Sequence, residues 1–373
     1  MGIYEELGVS RIINAMGTFT IYGGSKMSAQ TLADMQDAAS SFVDIRKLQR
    51  SLSTAIASLT HNEAAYISNG AAAGVYLCLL AAVSKKWNKK VRHLHAQDFA
   101  KSEVIVFRSH RNPYDISLEQ LGVKMVELAY SNHSLPSPKE DILAAITPET
   151  VAIYYLESGW TAPGAPAIPV VVEAAKEAGV PIVMDAAAML PPIENLWNYT
   201  AQGVDMVVFS GGKDLHGPQA SGLIVGRSAY IDILLESGFP THGYGRMFKT
   251  GREEMVGLYS ALKQFVNSDQ TARLEDAEAQ VRLAVEMLSP LPFCQPQRSY
   301  PNEAGQPIPR VYVQLDGSVK ASEVSQFLLQ CDTPVVMACE GEQGFYLNPM
   351  SLTMEEMEYI CKQIIAFAQT HIA

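Results

Sequence analysis

Cysteine patterns that mark disulfide scaffolds or zinc modules are missing from this chain of 373 residues. Its five cysteines are odd in number and never form a Cys-x-x-Cys pair. We therefore expect reduced thiols in a cytoplasmic protein and no metal site. Long apolar runs are missing too, because the longest, residues 71–83, falls short of the roughly 20 residues that span a membrane. That run predicts a buried helix.

Positive charge is also scarce. The formal net charge is −11, and the clearest basic run, "SKKWNKK" at residues 84–90, is short. This balance predicts no nucleic-acid partner. The first 11 residues carry two glutamates and no apolar stretch, so we expect no secretory leader.

Two nucleotide-binding signatures are absent as well. No Gly-x-Gly-x-x-Gly follows a predicted strand, and "SGGKD" at residues 210–214 does not complete a P-loop. Both the dinucleotide-binding class and the P-loop class are therefore excluded.

What the chain does contain is an alternation of helical patterns and short apolar runs. The runs are nearly continuous in apolar character, as strands buried on both faces of a parallel sheet require. Predicted strands lie at residues 102–107, 124–130, 151–156, 180–185, 205–210 and 221–226, with helices at 137–146 and 167–179 between them. We expect an α/β fold with a mainly parallel sheet flanked by helices.

The pattern changes after about residue 250. Long helical stretches at 252–267 and 271–288 precede strands at 308–315, 333–338 and 344–349 and a terminal helix from about 353. This predicts a smaller α+β domain. The expected division is residues 1–48 as an N-terminal segment that contributes to the active site and small domain, 49–250 as the large domain and 251–373 as the small domain.

Charged residues follow two neighbouring strands. Asp185 ends the apolar run 180–185, and Ser210 and Lys213 end the next. Ligands bind at the carboxyl ends of strands in open α/β sheets. Pyridoxal 5′-phosphate (PLP) requires a lysine for its Schiff base and a carboxylate beside its ring nitrogen. The pair Asp185 and Lys213 favours this cofactor.

A phosphate cradle is predicted at "SNGAAAG", residues 68–74. Asn69 and Gly70 precede the long apolar helix, and its small first residues leave backbone N–H groups exposed to an anion. Ser210 adds a hydroxyl. Each feature also has an ordinary explanation: Lys213 as a solvated loop residue, Asp185 as a helix cap, and the small-residue stretch as a plain helix start. Their joint occurrence at strand ends favours the cofactor.

Several stretches resemble fold-type I PLP enzymes, and more narrowly the selenocysteine synthase and D-glucosaminate-6-phosphate ammonia-lyase group. They are "INAMGTFTIYGGS" (13–25), "SNGAAAG", "HRNPYD" (110–115), "MDAAAMLPP" (184–192), "FSGGKDLHGPQASGLIVG" (209–226) and "GRMFKTGREEMVGLYSAL" (245–262). The resemblance covers most of the chain to about residue 265. The Gly-Gly-Lys block is its most specific part.

The resemblance implies roles for individual residues. Lys213 would hold the cofactor as a Schiff base, and Asp185 would pair with the ring nitrogen. His110 would lie beside the ring or the substrate. The phosphate would be held by Gly70, Ala71, Ala72 and Ser210. Arg246 and Lys249 would bind a substrate carboxylate or phosphate, across a subunit interface of a homodimer or larger homo-oligomer. His216 would contact the substrate and tune specificity.

The expected activity is α,β-elimination from an amino acid or amino-sugar acid, which gives a 2-oxo acid and ammonia. Lys213 would remove the Cα proton while the cofactor holds the electrons. A racemase, an epimerase or an aminotransferase would share the first steps. A non-catalytic scaffold or ligand sensor of the same fold is the alternative from another class. The acidic charge argues against selenium transfer on a tRNA.

Overall fold

A computed structural model describes residues 2–129, 138–161 and 164–371. These form two compact units, Met27–Asn267 and a second one made of Met1–Lys26 with Ser268–Ala373. Residue 130 of the predicted strand 124–130 and residue 137 of the predicted helix 137–146 lie outside the described residues.

The helices and strands are numbered along the chain. The α-helices are α1 Ile3–Glu6, α2 Ala29–Ala39, α3 Ile45–Leu59, α4 Ala71–Lys86, α5 Ala96–Ala100, α6 Ile116–Leu121, α7 Pro138–Ala145, α8 Ile168–Ala178, α9 Asn195–Gln202, α10 Ser228–Ser237, α11 Arg252–Asn267, α12 Gln270–Leu288, α13 Ala321–Leu329 and α14 Met354–His371. The strands are β1 Ile13–Asn14, β2 Ala64–Ser68, β3 Glu103–Phe107, β4 Lys124–Leu128, β5 Thr150–Leu156, β6 Ile182–Asp185, β7 Met206–Ser210, β8 Gly222–Gly226, β9 Cys294–Ser299, β10 Arg310–Leu315, β11 Val335–Val336, β12 Ala338–Glu340 and β13 Gly344–Leu347.

The large unit is built on a seven-stranded sheet within the described residues, in the order β2-β8-β7-β6-β5-β3-β4. Each pair of neighbours in the series β7-β6-β5-β3-β4 is parallel, whereas β8 runs antiparallel to both β7 and β2. The class predicted from sequence, α/β with a mainly parallel sheet, is confirmed. Strand β2, "AAYIS", was not predicted.

Both faces of this sheet are covered by helices. One core packs α3, α8, α9 and α11 on the sheet, and the other packs α4, α6 and α10 on its opposite face. Residues of β5, β6 and β7 are therefore buried on both sides. This explains why their sequences are continuous in apolar residues.

Helices α2 and α11 pack against each other within the large unit. Ser260 donates a hydrogen bond to Asp34, and Arg252 donates two to the backbone carbonyls of Ala38 and Ala39. Residues 27–48 and 251–267 therefore lie in the large unit, whereas the sequence predicted boundaries after residues 48 and 250.

The small unit contains a four-stranded antiparallel sheet in the described residues, ordered β12-β13-β10-β9. Strand β1, from the N-terminal segment, pairs in parallel with β11. Helices α12, α13 and α14 supply the rest of an apolar core. This is the predicted smaller α+β unit, completed by the first residues of the chain.

No helix in the described parts of the chain is both long enough and apolar enough to cross a membrane.

Candidate active site

Lys213 lies in a tight turn that follows β7. The N–H of Gly211 donates to the carbonyl of Ser221 (2.9 Å), and the N–H of Gly217 donates to the carbonyl of Gly211 (2.8 Å). A Cβ atom on Gly211 would overlap the Ser221 hydroxyl, and one on Gly212 would lie 2.8 Å from the Cα of Gln219. The two glycines therefore let the turn fold back on itself and present a half-buried Lys213 at the sheet edge.

Asp185 ends β6, in the middle of the sheet, where it lies level with Leu156 of β5 and Val208 of β7. Its carboxylate is buried and accepts hydrogen bonds from the N–H of Ala187 (2.9 Å) and the hydroxyl of Tyr154 (3.4 Å). Burial raises the pKa of Asp185, while the Ala187 N–H, the charge of Lys213 and the Tyr154 hydroxyl oppose that rise. A cation placed beside this carboxylate would favour its charged form further.

Lys213 and Asp185 line the same cavity, together with His110. The Nδ1 atom of His110 accepts a hydrogen bond from the N–H of Leu156 (3.3 Å), and its ring packs edge-on against Tyr155 at 4.5 Å. Burial lowers the pKa of His110 to about 4, so the imidazole is neutral at pH 7. Because Nδ1 accepts, the proton of the neutral ring is on Nε2.

The predicted phosphate cradle is formed at the start of α4. Strand pairing places Ser68, Gly222 and Ser210 side by side across β2, β8 and β7. A Cβ on Gly222 would lie 2.6 Å from the carbonyl carbon and oxygen of Gly70, so the strand and the helix start are in close contact. Ser210 thus lies on the same edge as the first N–H groups of α4.

Two buried oxygens near these elements have no hydrogen-bond partner among the described residues. They are Oδ1 of Asn69, beside the start of α4, and Oγ of Ser109, which lines the cavity. Buried polar atoms are rarely left unsatisfied, so each marks a place where a bound molecule can complete the bonding.

Three predicted substrate contacts lie outside the cavity that contains Lys213. His216 adopts a positive φ of 55°, and its Nε2 lies 3.9 Å from the buried carboxylate of Asp214. Arg246 packs over the ring of Phe239, and Lys249 is exposed. The single chain therefore unites Lys213, Asp185 and His110 but not these three.

Sequence reasoning missed several residues of the site. Glu157 and Trp160 line the cavity, and Tyr154 contacts Asp185 from the neighbouring strand. Glu157 directly follows β5, so the strand-end rule that selected Asp185 would also have selected Glu157. The contact of Tyr154 has no such sequence signal.

These groups fit PLP. Lys213 supplies the amine that the aldehyde needs, and Asp185 is a buried carboxylate of the same cavity that can pair with a protonated ring nitrogen. Small residues at Gly70, Ala71 and Ala72 leave the first N–H groups of α4 accessible to an anion.

Comparison with known proteins agrees with this reading. Residues 35–277 match the family model described as SelA: L-seryl-tRNA selenium transferase. The chain is 28% identical to the D-glucosaminate-6-phosphate ammonia lyase of Salmonella typhimurium over 98% of each chain. It is 29% identical to the 5′-C-glycyluridine monooxygenase-decarboxylase of a Streptomyces species, over 84% of this chain and 77% of that protein.

A solved structure of D-glucosaminate-6-phosphate ammonia-lyase superposes with a TM-score of 0.85 at 27% identity, and the match covers all of both chains. The family model spans well over half of the chain and includes the turn that carries Lys213 and the strand that carries Asp185. The chain therefore belongs to the SelA family, and its fold is that of the fold-type I PLP enzymes.

Proposed function

We propose that this protein is a PLP-dependent ammonia-lyase that acts on a hydroxylated amino acid or amino-sugar acid and forms a 2-oxo acid and ammonia. The observation that carries the proposal is the meeting of Lys213 and Asp185 in one cavity at the carboxyl edge of the sheet. The similarity to the Salmonella ammonia lyase over nearly the whole of both chains supports elimination as the reaction.

In this proposal Lys213 is the base that removes the Cα proton. It is half-buried, and its Nζ lies 6.0 Å from the centre of the Trp160 ring. Bound PLP supplies an electron sink for the bond that is broken. Asp185 keeps the ring nitrogen of the cofactor protonated because an adjacent carboxylate favours a cation.

His110 acts as a neutral group at the cavity wall. With Nδ1 occupied by the Leu156 N–H, its Nε2–H is available as a donor towards the cofactor or substrate. The phosphate of the cofactor is held by Gly70, Ala71, Ala72 and Ser210, and Asn69 also contacts the cofactor. This assignment is supported by the pairing of Ser210 with Gly222 and by the close approach of Gly222 to Gly70 at the start of α4.

The proposed assembly is a homodimer or larger homo-oligomer. Three apolar residues of the large unit support it: Leu32 and Val43 are half exposed, and Phe42 is fully exposed. Phe42 and Val43 are neighbours in the chain, and a subunit contact would remove their apolar surface from water. In the assembly we assign Arg246, Lys249 and His216 to the substrate carboxylate or phosphate, which a partner subunit would bring within reach.

We propose a cytoplasmic location and no nucleic-acid partner. The free cysteines of the described residues support the first, and the net charge of −11 supports the second.

The proposal is tested by incubating the purified protein and PLP with D-glucosaminate 6-phosphate, D-serine and L-serine, and by assaying 2-oxo acid and ammonia. The wild type should release both products from at least one substrate, and Lys213→Ala should release neither. Equal activity of the two proteins would contradict the proposal. Chiral analysis of recovered substrate identifies racemisation, and formation of a new amino acid from an added 2-oxo acid identifies transamination.

A further inference from the structure

Glu157 lines the cavity, and its carboxyl group has no role in the proposed reaction as described so far. It follows β5 directly, and its backbone N–H donates to the carbonyl of Asp185 at 2.9 Å. It lines the cavity together with Lys213 and Asp185, and it is half-buried. Glu157 is therefore placed at the same sheet edge as the two residues on which the chemistry depends.

The environment of Glu157 shifts its carboxyl group towards the protonated form. Across residues 2–129, 138–161 and 164–371, the structure gives its carboxyl group no hydrogen bond and no ion pair. Burial raises its pKa, and its negative charge contributes to raising the pKa of Tyr155 and Tyr199. A desolvated carboxyl group of this kind is suited to donate a proton.

Elimination of a hydroxyl group requires such a donor, because hydroxide is a poor leaving group unless it is protonated as it departs. Among the described residues, six titratable ones line the cavity: His110, Arg111, Tyr114, Glu157, Asp185 and Lys213. His110 is neutral with a low pKa, and Arg111 is paired with Asp115 and Glu127.

The remaining groups are engaged elsewhere or face solvent. Asp185 is assigned to the cofactor ring and Lys213 to the Cα proton, while Tyr114 is 53% exposed. Among the described residues that line the cavity, Glu157 is thus the carboxyl group without an assigned role, and burial raises its pKa.

We propose that Glu157 is the general acid that protonates the departing β-hydroxyl group of the substrate. The inference rests on the proposed ammonia-lyase function. The Cα–H bond breaks, and its proton goes to the amine of Lys213. The electron sink that bound PLP supplies holds the electron pair of that bond, so this first step is reversible. The pair then forms the Cα–Cβ double bond when the Cβ–O bond breaks. The oxygen leaves with the electron pair of the Cβ–O bond and takes the proton of Glu157, so that water forms and Glu157 becomes a carboxylate.

The test separates the two proton transfers in the holoenzyme. Glu157→Gln keeps the shape of the side chain but has no acidic proton, and Glu157→Asp keeps the acid on a shorter chain. Each variant and the wild type are incubated in D₂O with the panel substrate that the wild type deaminates. NMR measures deuterium uptake at Cα, and the assay measures 2-oxo acid. Glu119→Gln, an exposed residue of α6, is the control.

We expect Glu157→Gln to lower 2-oxo acid formation by about 10²- to 10⁴-fold, the usual contribution of general acid catalysis. Exchange at Cα should stay within a few-fold of the wild type, because Lys213 is intact. Cofactor binding, followed by visible absorbance, should be unchanged. Glu157→Asp should recover part of the elimination activity. Glu157→Gln and the wild type should process 3-chloroalanine at similar rates, because chloride leaves without a proton.

Equal losses of exchange and elimination in Glu157→Gln, or no loss of either, would overturn the assignment. Slow processing of 3-chloroalanine by the variant would overturn it as well. A wild type that neither exchanges the Cα proton nor deaminates any panel substrate would instead refute the proposed function, and the inference with it.

Discussion

At the scale of single residues, Asp185 must be ionised to hold the ring nitrogen of the cofactor, although its carboxyl group is buried. It has 5% of its surface exposed, and burial alone raises its pKa. The groups that act on it are the N–H of Ala187, Lys213 from the turn after β7 and Tyr154 from β5. Tyr154 is the neutral side-chain donor among them, and it is itself buried.

Tyr154→Phe should therefore raise the pKa of Asp185 and weaken cofactor binding. The lost hydrogen bond is worth roughly 0.5–1.5 kcal/mol, or about 2- to 10-fold in the dissociation constant. Since the carboxylate must be charged to hold the ring nitrogen, binding should fail at a higher pH than in the wild type. Visible absorbance titrations at decreasing pH measure this. A Tyr154→Phe variant that binds PLP like the wild type at every pH would show that Tyr154 is only a packing residue. The control for loss of a buried hydroxyl is Tyr66→Phe, in β2.

His110 should make stability depend on pH in the acid range. Its pKa is about 4 in the folded protein and near 6.5 in the unfolded chain, so the unfolded chain binds more protons between these values. The contribution of His110 to stability is therefore fully present above pH 6.5 and is lost as the pH drops towards 4, by about 3 kcal/mol in all. The thermal midpoint of the cofactor-free protein should fall less steeply in His110→Asn, which retains an acceptor for the Leu156 N–H. Parallel pH dependences of the two proteins would contradict this account.

At the scale of elements, the site depends on the register of three strands. Ser68, Gly222 and Ser210 stand side by side across β2, β8 and β7, and this brings the start of α4 against the sheet. The close approach of Gly222 to the backbone of Gly70 leaves no room for a side chain. The position of the cradle is thus a consequence of strand pairing.

Gly222→Ala should disturb the cradle more than the fold. The added methyl group would lie 2.6 Å from the carbonyl of Gly70, so the helix start must shift. We expect a loss of about 1–3 kcal/mol in stability, typical of overpacking, and weaker PLP binding. Calorimetry and absorbance titration measure the two effects. Unchanged affinity for PLP in a folded variant would place the phosphate elsewhere.

Much of this architecture was predictable because parallel strands buried on both faces leave a clear apolar signal. Strands β3, β5, β6 and β7 and the strand-end positions of Asp185 and Lys213 follow from it. The apolar signal does not predict the short β2, the antiparallel direction of β8 or the contact of Tyr154 with Asp185. Pairing partners and strand direction depend on tertiary packing. Glu157 could have been found by applying the strand-end rule once more.

At the scale of the whole molecule, the first 26 residues belong with the C-terminal residues, and the next segment belongs with the large unit. Residues 27–48 contain the exposed apolar side chains assigned to the subunit contact. The guanidinium of Arg252 lies 5.7 Å from the ring centre of Phe42, which is otherwise exposed.

Phe42→Asp should weaken the proposed assembly because a charge replaces an apolar group in the contact. Light scattering coupled to size-exclusion chromatography should show a dimer or larger species for the wild type and a smaller species for the variant at the same concentration. Deamination should fall with dissociation if Arg246 and Lys249 act across the interface. A monomeric wild type would rule out this part of the account.

The most direct test of the central claim is the visible absorption spectrum of the purified protein with PLP, before and after borohydride, for the wild type and Lys213→Ala. We expect a yellow wild-type protein whose visible band is lost on reduction, with the cofactor then bound covalently at Lys213. The variant should not form that covalent bond. A wild type that stays colourless with added PLP, or a Lys213→Ala protein that is still labelled by reduction, would contradict the claim.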